Sequence, residues 1–221
     1  MTYYGQWVPP VDEVLFINYF SGKKIGFFVE CGAGNGVSES SCHFFEDVGW
    51  KGINIEPCLD VYKKLVENRP RATNLNIGLS DKDGITKFTV TTNGNIGVGG
   101  VTEEWHPKWK AEVISYGFKF QETLIDVMAY KNLISKYDVM PTLFVLDVDG
   151  HELQVIDGMV GAFILPKVIC VEYTLVGLDS LIQKLTPMGY NYDFLSYNNA
   201  YFSMGQKQEK EWFGATEIWD Y

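Results

Sequence analysis

The chain has 221 residues, 46% of them hydrophobic and 15% aromatic, and a formal net charge of -10 at pH 7. That length and apolar content suit a single α/β domain over residues 1–221 with a substantial core. The acidic balance argues against broad nucleic-acid binding, which needs a cationic surface, and no apolar run approaches the ~18–20 residues of a membrane span.

The opening stretch MTYYGQWVPPVDEVLF has no basic region leading into an apolar one, so no signal peptide is expected. Residues 1–24 read as an N-terminal extension. The unalternating run IGFFVE (25–30) predicts a strand buried on both faces, followed by the glycine-rich GAGNG (32–36) and a helix over 38–48 that Gly49 stops. KGINIE (51–56) is a second strand, 59–68 a helix, and ATNLNIGLS (72–80) a third strand that ends at the turn DKDG. ITKFTVTT (85–92) alternates like a strand with one exposed face.

Periodicity then lapses, and 93–110, rich in glycine and carrying Trp105 and Trp109, reads as a mobile loop insertion. A helix is predicted over 123–137, a buried strand over 142–147, a helix over 151–159, a strand over 167–173 and a helix over 178–189. Residues 190–197 and 200–204 flank Asn198-Asn199 as an antiparallel hairpin. This alternation predicts a doubly wound sheet, with a hairpin at its C-terminal edge. The four cysteines (Cys31, Cys42, Cys58, Cys170) form no CxxC pair and read as reduced thiols of a cytoplasmic protein.

In such a sheet, ligands bind at the carboxyl ends of the strands where their order reverses. The glycines there are spaced G-x-G-x-G, whereas the dinucleotide fingerprint is G-x-G-x-x-G. Glu30 precedes them, and an acid repels a pyrophosphate but attracts a cationic amino group. Glu56, at the end of the second strand, can accept ribose hydroxyls. A ligand with ribose, adenine and an amino-acid end but no phosphate is S-adenosylmethionine, whose sulfonium also tolerates an acidic pocket.

Six segments, in order over residues 25–173, resemble the FkbM-type methyltransferases: GFFVECGAGNG, GWKGINIEP, NLNIGLSDKDG, QETLIDVM, LFVLDVDGHELQVIDGM and ICVEY. The resemblance implies the Rossmann-like class I methyltransferase fold, a mainly parallel seven-stranded sheet with one antiparallel strand, and S-adenosylmethionine as donor. It assigns Glu30, Gly32, Ala33 and Gly34 to the donor loop and Glu56, with Pro57 beside it, to the ribose. It assigns Asn76 and Ile77, within 76–80, to the adenine wall. The chain departs from the family pattern at Glu30, where Asp is common, and at Asp149, where Glu is common.

Asp147 ends the fourth core strand and Glu172 nearly ends the fifth, with Asp149 and His151 close behind. These four are the catalytic candidates, and Asp147 also a donor-binding one. Neighbouring strands ~4.8 Å apart would let Asp147 and Glu172 share a Mg²⁺ or another divalent cation that acidifies a bound hydroxyl. Alternatively, Asp147 binds donor or acceptor, Asp149 caps the following helix, His151 is a polar first-turn residue and Glu152 is solvated. His43 is expected to pair with Glu39 on a helix surface, and His106 to sit in the Gly/Trp loop, where tryptophans could stack on a sugar.

The expected activity is O-methylation of a hydroxyl on a sugar, glycan or small metabolite, with no nucleic-acid or membrane partner and with homo-oligomerisation left open. The rivals are an NAD(P)-linked oxidoreductase, for which no Tyr-x-x-x-Lys set stands out, and a non-catalytic module on the same fold.

Overall fold

Residues 1–92, 99–103, 105, 107–205 and 211–214 are described by the computed structural model, without the side chains of 108 and 109. The chain begins with α1 (Val11–Leu15), a π-helical turn (Phe16–Phe20), β1 (Phe27–Cys31), α2 (His43–Asp47), β2 (Lys51–Ile55) and α3 (Leu59–Asn68). Five strands and two helices follow: β3 (Thr73–Leu75), β4 (Gly78–Ser80), β5 (Gly84–Thr91), β6 (Gly99–Val101), α4 (Pro107–Ser115), β7 (Phe120–Ala129) and α5 (Tyr130–Tyr137). The chain continues through β8 (Leu143–Leu146), α6 (Glu152–Asp157), β9 (Val168–Glu172), α7 (Leu178–Leu185) and the hairpin β10 (Tyr190–Ser196) and β11 (Asn199–Met204).

Seven strands pair in the order β10-β11-β9-β8-β1-β2-β3. All contacts from β9 to β3 are parallel, and β11 runs antiparallel to both β9 and β10. The doubly wound sheet with a C-terminal antiparallel hairpin therefore forms as expected. Strand order reverses between β1 and β8, which opens a crevice at their carboxyl ends.

Alternate side chains fill the two faces. Val29, Phe144, Leu146, Ile169 and Val171 pack with α5, α6 and α7, while Phe28, Val145 and Cys170 pack with α1 and α2. Residues 1–24 thus help to build a core, with Val14 and Leu15 fully buried. Among the described residues no helix is long and apolar enough to cross a membrane.

Four predicted elements differ. The third strand splits: β3 stays in the main sheet while β4 joins a second sheet, β4-β7-β5-β6. Between them the Asn76 amide donates to the carbonyls of Glu56 and Pro57, which turns the chain aside. The predicted helix over 123–137 begins as strand β7, where Ile125, Val127 and Ala129 are buried in strict alternation; the exposed Leu124 hides that period in the sequence.

The predicted loop over 93–110 contains β6 and the start of α4, and residues 93–98 lie outside the described ones. The helix predicted over 38–48 covers only α2, because its serines bond locally instead: Ser40 Oγ accepts from His43 N at 3.1 Å.

One buried cation ties these pieces together. Arg69, fully buried at the end of α3, donates Nε–H to Glu46 of α2 and Nη1–H to Gly36 O and Ser40 Oγ, both at 3.0 Å. Its Nη1 also lies 3.7 Å from Glu30 Oε2. Removing one partner of a buried ion pair strands the other. Arg69→Met should destabilise the fold by about 3–5 kcal/mol in urea unfolding; a variant as stable as the wild type would show that the pair is inessential.

Candidate active site

Backbone close approach builds the site. Gly32 has φ +86°, and a Cβ there would lie 1.9 Å from the carbonyl oxygen of Asp147, so any side chain would force β1 and β8 apart. Its N–H and that of Ala33 donate to Ile55 O at the end of β2, at 3.1 and 3.0 Å. Gly34, at φ +55°, has nothing within 4 Å of its would-be Cβ and faces open space. Asn35 Oδ1 accepts from Val37 N and Ser38 N, both at 2.9 Å, and closes the loop.

Over this loop lies a cavity of ≈ 920 Å³. That is within the range of small-molecule sites. Gly32, Ala33, Gly34, Glu56, Pro57 and Asp147 all line it, as does the apolar inner face of the second sheet, Phe88, Val101, Ile125 and Val127. Neither Asn76 nor Ile77 is among the lining residues; the wall there is Gly78 and Leu79. Asn76 instead holds the Glu56-Pro57 turn, and Ile77 packs against the main core.

Glu56 is 5% exposed, and its two oxygens accept from Gly34 N at 3.0 Å and Cys58 N at 2.7 Å. Burial pushes its carboxyl up to about 7 against the pull of those two N–H groups. Glu30 is not free to meet an amino group. Its carboxylate is buried and accepts from Ser40 Oγ, Ser41 N and Cys42 N, with Arg69 beside it, and it is absent from the cavity wall. It fastens the loop to the start of α2.

At the other end of the cavity the β8–β9 register pairs Leu146 with Val171 and so brings Asp147 and Glu172 side by side. Their carboxyl groups lie within hydrogen-bonding reach, and Asn198 Nδ2 donates to Glu172 Oε1 at 2.8 Å. Asp147 is raised well above the usual carboxylate range by the surrounding protein mass and then by Glu172. Its side chain is exposed in the cavity, so the like charge of Glu172 is the cause that persists while water has access. Glu172 is pushed up to about 7 by burial and by Asp149 and Glu152.

Asp149 lines the cavity at φ +54° and precedes α6, whose N-cap is His151 with no side-chain cap bond. His151 is buried, with Nε2 3.0 Å from Ser80 Oγ, and so joins the second sheet to α6. Glu152 is not solvated as expected. It is 1% exposed, its Oε1 accepts from Val148 N and Gly150 N, and burial pushes it up to about 7. Among the described residues no group of three or more His, Cys, Asp or Glu could hold a metal ion.

Other expectations shift. His43 stacks on Tyr4 and faces Asp47 at 3.9 Å, not Glu39, which lies outside α2 and pairs with Gly5 in a β-bridge. Trp105 is buried against Phe120 rather than offered to a sugar, and His106 lies outside the described residues. Trp7 joins Phe88 as an aromatic residue at the cavity, with Gln6 next to it and Asn198 and Asn199 on the side of the acids. Sequence reasoning missed these because only the fold brings residues 7 and 198 together; the turn signal Asn198-Asn199 was the one visible hint.

Comparison with known proteins agrees with the geometry. The sequence profile of the "Methyltransferase FkbM domain" matches residues 30–192. No curated protein matches the chain. The ribosomal protein L11 methylase from Lactobacillus delbrueckii subsp. bulgaricus is similar in structure, with 8% identity, TM-score 0.50, and 90% of this chain and 79% of that one covered. The putative methyltransferase yhhF from Escherichia coli has 12% identity and TM-score 0.48, with 89% and 87% covered. Precorrin-6y C5,15-methyltransferase from Geobacter metallireducens GS-15 has 12% identity and TM-score 0.44, with 90% and 85% covered. The family match spans well over half of the sequence, so the chain belongs to the FkbM methyltransferase domain family, an S-adenosylmethionine-dependent methyltransferase on the class I, Rossmann-like fold.

Proposed function

We propose that the enzyme methylates a hydroxyl oxygen of a sugar, glycan or small metabolite, with Asp147 as the base. The supporting observation is the Asp147–Glu172 pair, set in one cavity with the open backbone of Gly34 and the carboxylate of Glu56. The donor fits that wall. Gly34 leaves room for backbone contact, and each Glu56 oxygen keeps a lone pair for a ribose hydroxyl. Among the described residues Lys64 is the one cation lining the cavity, too little for a pyrophosphate. Glu30 acts through the loop that it fastens, and His151 through its bond to Ser80.

S-adenosylmethionine supplies an activated methyl group. The acceptor oxygen attacks the methyl carbon as the carbon–sulfur bond breaks in line. The hydroxyl proton passes to Asp147, and S-adenosylhomocysteine leaves. Two adjacent carboxyls do not both ionise cheaply, so without a ligand the pair holds a proton. The positive sulfonium favours the ionised form and readies Asp147 to accept. The same two carboxylates would supply two ligands of a Mg²⁺ or Ca²⁺ ion, with water and acceptor oxygens completing its shell; loss of turnover in EDTA would assign them that role.

Asp147→Asn should cut methyl transfer to the hydroxyls of a glycoside panel by at least ~10²-fold while leaving S-adenosylhomocysteine affinity within about threefold. Unchanged turnover, or methylation of nitrogen or carbon in place of oxygen, would contradict the proposal. Charge linkage gives a second test. Around neutral pH, S-adenosylmethionine should release protons on binding, since its sulfonium lowers the acids that the folded protein holds high. S-adenosylhomocysteine, without that charge, should release fewer. Calorimetry in two buffers of different ionisation enthalpy reads the difference, and equal release would count against a sulfonium beside the pair.

A further inference from the structure

The acids account for one side of the reaction centre, and the residues facing them lie outside the 30–192 family match. Trp7 is held in a left-handed conformation, φ +78°, that a bulky residue adopts only when its surroundings require it. Two contacts require it here. The indole Nε1–H donates to Asn198 Oδ1 at 2.8 Å, and Tyr197 stacks on one face of the ring at 4.9 Å with planes 15° apart. Tyr197 is itself left-handed, at φ +52°, and its hydroxyl donates to Val8 O.

Asn198 in turn donates to Glu172, which lies beside Asp147. An unbroken chain of contacts thus fixes the indole at two hydrogen bonds from the reacting acids. Trp7 is half-buried and lines the cavity, and Tyr197 covers one face of its indole.

We infer that Gln6 and Trp7 form an acceptor subsite for an uncharged, hydroxyl-bearing sugar ring. A pyranose has a face of C–H bonds that packs on an indole and a rim of hydroxyls that needs donors and acceptors. Trp7 provides the first and the Gln6 amide the second. Glu39, Asp147, Asp149 and Glu172 line the same cavity and repel a carboxylate or phosphate on the acceptor, so uronic acids and sugar phosphates are rejected. Trp7 and Gln6 are specificity residues and take no part in proton transfer. The inference rests on the O-methylation proposed above.

The test uses the full chain saturated with S-adenosylhomocysteine and two probes, methyl β-D-glucopyranoside and its 6-carboxylate, the methyl glucuronoside. Saturation-transfer NMR titrations give their relative affinities. The wild type should bind the glucoside at least about tenfold more tightly than the glucuronoside. Trp7→Ala should weaken glucoside binding about tenfold, while Trp7→Phe, which keeps a ring but loses the N–H, stays within about threefold. Circular dichroism and S-adenosylhomocysteine affinity, both unchanged, show that the variants are folded.

Full-strength glucoside binding by Trp7→Ala, equal binding of the two probes, or no glucoside binding by the loaded wild type would each overturn the subsite. Failure of the wild type to bind S-adenosylhomocysteine would overturn the methyltransferase reading itself, and the subsite with it.

Discussion

The contact between Gly32 and the carbonyl of Asp147 is the constraint on which the site depends. β1 and β8 are the strands at which sheet order reverses, and the crevice for a ligand lies beyond their carboxyl ends. Here the two backbones close to a distance at which a Cβ would sit 1.9 Å from a carbonyl oxygen. That approach brings the glycine loop, with Gly34 open to the cavity, next to the turn that carries Asp147, Asp149 and His151. The two ends of the cavity are therefore joined through main chain rather than through mobile side chains, which suits a reaction that needs fixed geometry.

Charge is distributed unevenly around that joint. Beneath the loop, Arg69 balances Glu30 and Glu46 in the interior, so those acids are structural. Above it, Glu56, Asp147 and Glu172 have no ion pair with a Lys or Arg among the described residues, and burial or mutual repulsion raises all three. An acidic cavity of this kind suits a donor that arrives with a positive sulfonium and leaves without it. The charge that favours binding vanishes in the reaction, which weakens the hold on the product.

Much of the main sheet was legible in the sequence because its strands are unalternating apolar runs ended by acids or glycines, and the hairpin because the Asn pair lies at its turn, which the structure forms one residue earlier, at Tyr197-Asn198, with Asn199 already paired to Ser196. The second sheet was not. Leu124, 68% exposed, disguises the alternation of Ile125, Val127 and Ala129, and Asn76 splits what reads as one strand. Glu56 and the neighbours Asp147 and Glu172 could be placed because strand ends in a doubly wound sheet share one edge. Glu30 sits at such an end too, yet it points to Ser40 and Arg69, since alternate side chains of a strand face opposite ways. Trp7 was beyond reach, because its place depends on a contact with a residue 191 positions away.

The central claim is that the glycine loop and Glu56 hold an adenosyl donor without phosphate. Calorimetric titration with S-adenosylhomocysteine and with NAD⁺, on the wild type and on Glu56→Ala, tests it most directly. The account predicts micromolar binding of S-adenosylhomocysteine, none of NAD⁺, and at least about a tenfold loss in the variant, since a buried acceptor of ribose hydroxyls is gone. Binding of NAD⁺ in its place, or of neither ligand, would contradict it and favour the oxidoreductase or the non-catalytic module.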